Sequence, residues 1–327
     1  MTQIRLAHSP DADDASMFYA LMQKKFDWEG LEFSEVREDI ETLNKRAVEG
    51  IYDVSAISFH AYPAIADKYI LLRTGACFGD RYGPIVVSKK VLKPKQLLKV
   101  RIAVPGKKTT AFLALRLYEQ WLAGGGKPGV CYSEVPFDRV MEDVIEGKID
   151  AGLIIHEGQL SYVDHGLHKI VDLGEWWYEQ TALPLPLGGI VIRRDLPIDV
   201  QRKVARLIRQ SIMYSIRNSN ESTENALPFA RGLDAERTTK FVGMYVNDWT
   251  IDCGRKGMKA VRLLLDKGMR SGVISESIDL EGCFLSEALP SSSGVLENSL
   301  NQEASSQPGL TTVPATAQAM TLETESV

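Results

Sequence analysis

The 327-residue sequence predicts an α/β protein of two lobes, each a mostly parallel sheet flanked by helices, and two observations carry that expectation. The first is an internal repeat. EVREDIETLNKRAVEGIYDVSAISFHAY (Glu35 to Tyr62) and EVPFDRVMEDVIEGKIDAGLIIHEGQLSY (Glu134 to Tyr162) each read as a strand, a helix ending in Glu-Gly, and a second strand. Aligning Glu49-Gly50 with Glu146-Gly147 brings Asp53 onto Asp150 and Phe59 onto His156 without a gap. The second observation is that each copy follows its own strand-to-helix turn, IRLAHSPDADDASMFYAL and VRIAVPGKKTTAFLALRL, so the chain holds two β-α-β-α-β units. In such sheets ligands bind beyond the carboxyl ends of the strands, and two lobes with those ends facing each other enclose a cleft. Ser9, Ser58, Thr109 and His156 then face one cavity.

Taken in order, the first lobe opens with a strand over residues 4–8 and a helix from about Asp13 to Lys25, with Ser9, Asp11 and Asp13 available as N-caps. Met17, Phe18, Leu21 and Met22 recur at helical spacing and put one face of that helix on the sheet. A strand, helix and strand follow to Ser58. GPIVVSK and LGGIVIRRD are matched extended segments and are expected to form a hinge of two crossings. The large lobe is thus placed at 1–95 and 188–288 and the small lobe at 96–187. From Asp199 the sequence turns helical, with Val200, Val204, Leu207, Ile208 and Ile212 on one side, and these helices are expected to pack back on the first lobe. Beyond Leu289 the chain is rich in Ser, Thr, Gln, Ala and Pro, too poor in large apolar residues to offset its chain entropy, so 289–327 reads as a disordered tail.

Forty-four per cent apolar and 25% charged residues describe an ordinary soluble domain pair. Of the net charge of −5, four glutamates lie in the tail, which leaves the rest near −1 and gives no basic balance pointing to nucleic acid. Cys77, Cys131, Cys253 and Cys283 are widely spaced, without a C-x-x-C pair, and read as buried thiols rather than a zinc or disulfide framework. No basic segment leads into an apolar one at the start and no apolar run reaches spanning length, so a cytoplasmic protein without membrane contact is expected.

Chemistry gathers at the strand ends. The turn VPGKKTTAF leaves amides near Lys108, Thr109 and Thr110 without intrahelical partners, beside two hydroxyls and a positive dipole end, which suits a carboxylate; the plainer reading is that Thr109 only caps its helix. GKKTT lacks the spaced glycines of a Walker A loop, so it gives no support to nucleotide binding. The turn HSPDADD, with Ser9, Asp11, Asp13 and Asp14, is acidic and suits ligand hydroxyls. His156 emerges from the buried run Leu153-Ile154-Ile155; as a working group it is a general base suited to neutral pH, and otherwise it is a satisfied edge residue. Glu157 points to the opposite side if the strand continues through it. His8, His60 and His156 match no known ligand spacing, so no metal is expected. Trp176, Trp177 and Tyr178 suit core or hinge packing, or else the face of an aromatic ligand.

SPDADDASMFYAL, DVSAISFHAY, PGKKTTAFL and GLIIHEGQLSY, in this order and spacing, resemble the 1,4-dihydroxy-6-naphthoate synthase family of the futalosine route to menaquinone, over about Ile4 to Phe284. The resemblance implies a two-lobed fold of the type II periplasmic-binding-protein kind. It implies conversion of cyclic dehypoxanthine futalosine, a small-molecule carboxylate, without metal or organic cofactor. It also implies His156 as proton acceptor, strand-end contacts at Ala56, Ile57 and Ser58, and Thr109 and Thr110 as a hydroxyl pair. Two departures stand in the first lobe: SPDADD where the family often has SPCPND, and Ala56 where it often has a polar or basic residue. A solute-binding protein of the same fold, and the chorismate dehydratase of the same pathway, are the competing readings.

Overall fold

The computed structural model describes residues 2–126 and 128–286, so the expected tail at 289–327 lies outside the described residues. The chain runs β1 (Thr2–His8), α1 (Ala12–Met22), β2 (Leu31–Arg37), α2 (Ile40–Glu49), β3 (Val54–Ser58), β4 (Tyr69–Leu71), β5 (Cys77–Gly79) and β6 (Ile85–Ser88). It continues through β7 (Arg101–Val104), α3 (Thr110–Leu122), β8 (Cys131–Glu134), α4 (Val140–Ile145), β9 (Ala151–Ile154), α5 (Gly158–Ser161), β10 (His168–Asp172), α6 (Leu173–Thr181) and β11 (Leu185–Arg193). Helices α7 (Ile198–Arg217), α8 (Ser219–Ala226), α9 (Ala235–Tyr245), α10 (Asp248–Ile251) and α11 (Gly254–Arg270) complete it.

The repeat governs the topology. One sheet has the order β2-β1-β3-β11-β4, with β5 also on β11, and the other reads β8-β7-β9-β6-β10. In each, the first three strands are parallel and the fourth is antiparallel to its neighbour. The Glu-Gly pair ends the helix in both copies: Gly50 and Gly147 adopt φ of +75°, the left-handed conformation that closes a helix without a Cβ clash. β3 and β9 are buried along their whole length, as central strands covered on both faces must be.

Strand membership corrects the expected boundary. GPIVVS does not belong to the large lobe, since β6 is hydrogen-bonded to β9 and β10 of the second sheet, whereas LGGIVIR is β11 of the first. The two segments are matched, as expected, but each is inserted into a sheet rather than forming the hinge itself. The crossing expected after residue 95 therefore lies between Gly79 and Ile85, and the return lies just before Leu185. The chains pass very close there: a Cβ on Gly79 or Gly174 would stand 1.9 Å from the Tyr82 carbonyl oxygen, so only glycine fits at either position.

The C-terminal helices behave as predicted with one exception. Ser211 of α7 donates to the Met17 carbonyl of α1 and accepts from the Leu21 amide, which ties α7 to the first lobe. α11 instead also reaches the second lobe, where Gly268 comes against Leu113 of α3. Trp176 and Trp177 pack away from the cleft, Trp176 edge-on to Tyr118 of α3 at 5.3 Å, and Tyr178 stacks under Arg81 of the crossing. The thiols depart from expectation at Cys131, which is exposed on the edge strand β8, and at Cys77, which is half-buried. No described helix is long and apolar enough to cross a membrane.

Candidate active site

One cavity between the two sheets is bordered by ten of the residues singled out from the sequence: Ser9, Asp11, Asp13, Asp14, Ala56, Ile57, Ser58, Thr109, Thr110 and His156. They arrive from the carboxyl ends of β1, β3, β7 and β9, where a doubly wound sheet offers its ligand site. Ile57 is fully buried, so its side chain belongs to the core beneath the cavity floor.

His156 owes its position to the backbone. β9 stops at Ile154, and His156 takes φ of +56°, a left-handed conformation that costs a non-glycine residue about 1 kcal/mol or more. The matching residue of the first copy, Phe59, stays buried and packs on Phe78 at 6.1 Å. The turn at His156 also breaks the strand alternation that would have sent Glu157 to the far side. Glu157 is instead buried near the same cluster, with Oε2 3.5 Å from Arg231 Nε.

The imidazole is held on two sides. Nδ1 lies 3.2 Å from Asp11 Oδ2, and the Phe137 ring meets it edge-on at 5.1 Å. The other oxygen of Asp11 accepts from Arg231, whose guanidinium also lies 4.2 Å above Phe137. Burial by itself raises the Asp11 carboxyl; the facing His156 ring and Arg231 guanidinium outweigh that and hold it below its ordinary value. The contact is an ion-pair distance, and a carboxylate beside Nδ1 favours the proton on that nitrogen over Nε2. Asp11, read from the sequence as a holder of ligand hydroxyls, is thus engaged with His156 and Arg231. Arg231 and Phe137 carry no motif or spacing that would have singled them out.

The turn before α3 is built differently. Thr109 is a true N-cap: its hydroxyl accepts from the Phe112 amide at 3.2 Å and donates to the Gly106 carbonyl at 2.8 Å. The Thr110 hydroxyl accepts from the His60 amide, and His60 Nδ1 faces the Thr109 carbonyl at 3.1 Å. Burial drives the His60 pKa down to about 4, so the ring is neutral and Nδ1 donates. The Thr109 hydroxyl is committed within the protein, whereas the Thr110 hydroxyl only accepts and keeps its O–H without an acceptor among the described residues. Beside it the turn carries the unpaired amides of Thr110 and Ala111, the first positions of a 13-residue helix, both residues bordering the cavity. Opposite them, Ser58 is fixed by Asn44, which accepts from the Ser58 amide at 2.8 Å and donates to its hydroxyl. His8 takes no part: it is fully buried between Glu35 and the Ser9 carbonyl.

A family model described as menaquinone biosynthesis matches residues 4–270. The chain is 37% identical over 277 residues to the 1,4-dihydroxy-6-naphthoate synthase of Thermus thermophilus, covering 85% of this chain and 98% of that one. It is 32% identical to the enzyme of the same name from Streptomyces coelicolor, covering 83% and 94%. Among solved structures, a protein from Archaeoglobus fulgidus aligns with a TM-score of 0.78 at 46% identity over 83% of this chain and 98% of its own. An alkanesulfonate-binding protein from Xanthomonas axonopodis pv. citri aligns with a TM-score of 0.63 at 13% identity, covering 84% and 94%, and shows the fold alone. The fold is therefore that of the periplasmic binding proteins, and the chain belongs to the 1,4-dihydroxy-6-naphthoate synthase family of menaquinone biosynthesis.

Proposed function

We propose that the protein is a carbon–carbon lyase that converts cyclic dehypoxanthine futalosine to 1,4-dihydroxy-6-naphthoate, with His156 as the base. The observation that carries this reading is the His156–Asp11 pair: a histidine on a strained turn, facing a cavity, with Nδ1 3.2 Å from a buried carboxylate. A base so oriented takes a proton from an acidic C–H at Nε2. The electron pair left on carbon then drives eliminations that release the sugar-derived part, and aromatisation of the new ring favours product. The substrate carboxylate lies at the free amides of Thr110 and Ala111, with Ser58 beside them, which fixes the reacting carbon relative to the imidazole. The ligand is small, and no organic cofactor or metal takes part in this scheme.

The test is turnover of cyclic dehypoxanthine futalosine by wild type and His156→Ala, with product followed by absorbance and mass and binding followed by titration. Product from wild type alone, with binding retained in the variant, supports the reading. Equal turnover by His156→Ala removes the base. No product from either, with tight binding of a small carboxylate, leaves a solute-binding protein, and product from chorismate instead leaves the dehydratase of the same pathway.

A further inference from the structure

We propose that Asp13 is a second working group of this cavity: a carboxylic acid that donates a hydrogen bond, from the large-lobe wall, to a keto, enol or phenol oxygen of the bound molecule. The inference rests on the functional reading above and extends it to the part of the ligand that carries no carboxylate.

Four acids meet around the first turn of α1, and two are provided for with hydrogen bonds. Asp11 faces His156 and Arg231. Asp14 accepts from the Ser9 amide at 2.8 Å. Glu157 has Arg231 at 3.5 Å, but neither of its oxygens makes a hydrogen bond, and it does not border the cavity. Asp13 borders the cavity with its Oδ1 buried and without a hydrogen-bond partner. The groups that act on it most are Asp11 and Asp14 on its own turn and Glu157 from the turn after β9, with Cys77 of β5 and Tyr245 of α9 also within reach, while the cations of the cluster, Arg231 and a protonated His156, pair with Asp11 and Glu157.

Burial first, then the charges of Asp14, Asp11 and Glu157, raise the Asp13 carboxyl well above the usual carboxylate range. The positive end of α1 works against this and does not prevail. A carboxyl that keeps its proton offers one O–H donor, and in a dry site such a donor is matched to an oxygen that gathers charge. When His156 takes a proton from the carbon beside a carbonyl, the electron pair moves onto the carbonyl oxygen. Asp13 keeps its own proton and hydrogen-bonds to that oxygen. The product's ring hydroxyls are oxygens of the same kind, and a site built to pair with them discriminates against a ring that lacks them.

Anaerobic titration of 1,4-dihydroxy-6-naphthoate and of 2-naphthoate, which has the carboxylate but no hydroxyls, separates this role from general packing. Asp13→Ala is expected to weaken the dihydroxy compound at least 10-fold and 2-naphthoate less than 2-fold. Asp13→Asn, a neutral side chain that still donates, is expected to recover most of the loss. Equal weakening of both compounds by Asp13→Ala overturns the proposal, and so does an Asp13→Asn variant as weak as Asp13→Ala. Discrimination without wild-type turnover of cyclic dehypoxanthine futalosine keeps Asp13 and rejects the synthase reading. A wild type that binds neither naphthoate rejects both.

Discussion

The turn before α1 and the turn before α3 hold the same place in two copies of one supersecondary unit, yet they do opposite things. At the second, Thr109 caps its helix with its own hydroxyl and leaves the amides of Thr110 and Ala111 without intrahelical partners. At the first, Asp11 has the extended backbone of an N-cap, φ −103° and ψ 159°, and makes no capping hydrogen bond. Its carboxylate is turned to His156 and Arg231, a choice that forgoes roughly 1 kcal/mol of capping. Asp14 partly compensates by reaching back to the Ser9 amide. On the proposed reading, the same scaffold position serves stability and anion binding in one lobe and the orientation of a base in the other. Local stability is given up where a residue is needed for chemistry.

The sharpest way to break this contrast is Asp11→Asn. Removing the charge opposite Nδ1 is expected to lower kcat by about 10²–10⁴-fold. Product binding should stay within a few-fold, and the melting temperature should fall, because Arg231 is left with a neutral partner. A large loss of binding in calorimetric titration would show that Asp11 holds ligand rather than the base.

Acid unfolding addresses the attachment of the second turn. His60 is neutral in the fold, with its pKa lowered by burial to about 4. Between 6.5 and 4 the unfolded chain therefore binds the extra proton, and stability is lost as pH falls through that window. The contribution is of order 2–4 kcal/mol in all. His60→Gln should flatten the pH dependence of stability over that range in denaturant melts; an unchanged profile would mean that the turn is not tied down through His60.

Thr109→Ala is expected to cost about 1 kcal/mol of stability and to weaken naphthoate binding several-fold while sparing kcat. Thr109→Ser should restore both; if kcat falls instead, the second turn is not merely a binding element. The smallest effect is expected at Gly106, where an added Cβ would stand 2.4 Å from Glu41 Oε2. Since Glu41 also accepts from the Lys108 amide at 3.3 Å, Gly106→Ala should displace a flexible carboxylate between the lobes. It should raise KM by no more than a few-fold in steady-state assays.

The repeat is legible because it is local: the strand-to-helix turn, the Glu-Gly helix end and the apolar strands of each unit lie within one stretch, Ile4 to Ser58 or Ile102 to Ile154. The cavity followed from it, since equivalent strand ends must face one cleft. GPIVVS and LGGIVIR were seen as a pair, but which sheet each enters depends on partners far along the chain. Glu157 was misplaced because period-2 alternation assumes a strand that His156 in fact ends. Arg231 is 220 residues from Asp11, on a loop whose sequence repeats nothing. No periodicity points to such a contact.

The exchange of β6 and β11 between the sheets has a consequence for synthesis on the ribosome. Every strand of the second sheet lies between residues 85 and 172, whereas the first sheet lacks β11 until residue 193 has emerged. Until then β3 has an open hydrogen-bonding edge, and β4 has no partner strand within its sheet. The lobe made second is expected to finish first. Nascent chains arrested with about 180 residues exposed should then resist protease across 85–172 and be cut readily before it. The opposite pattern would show that the first lobe assembles without its last strand.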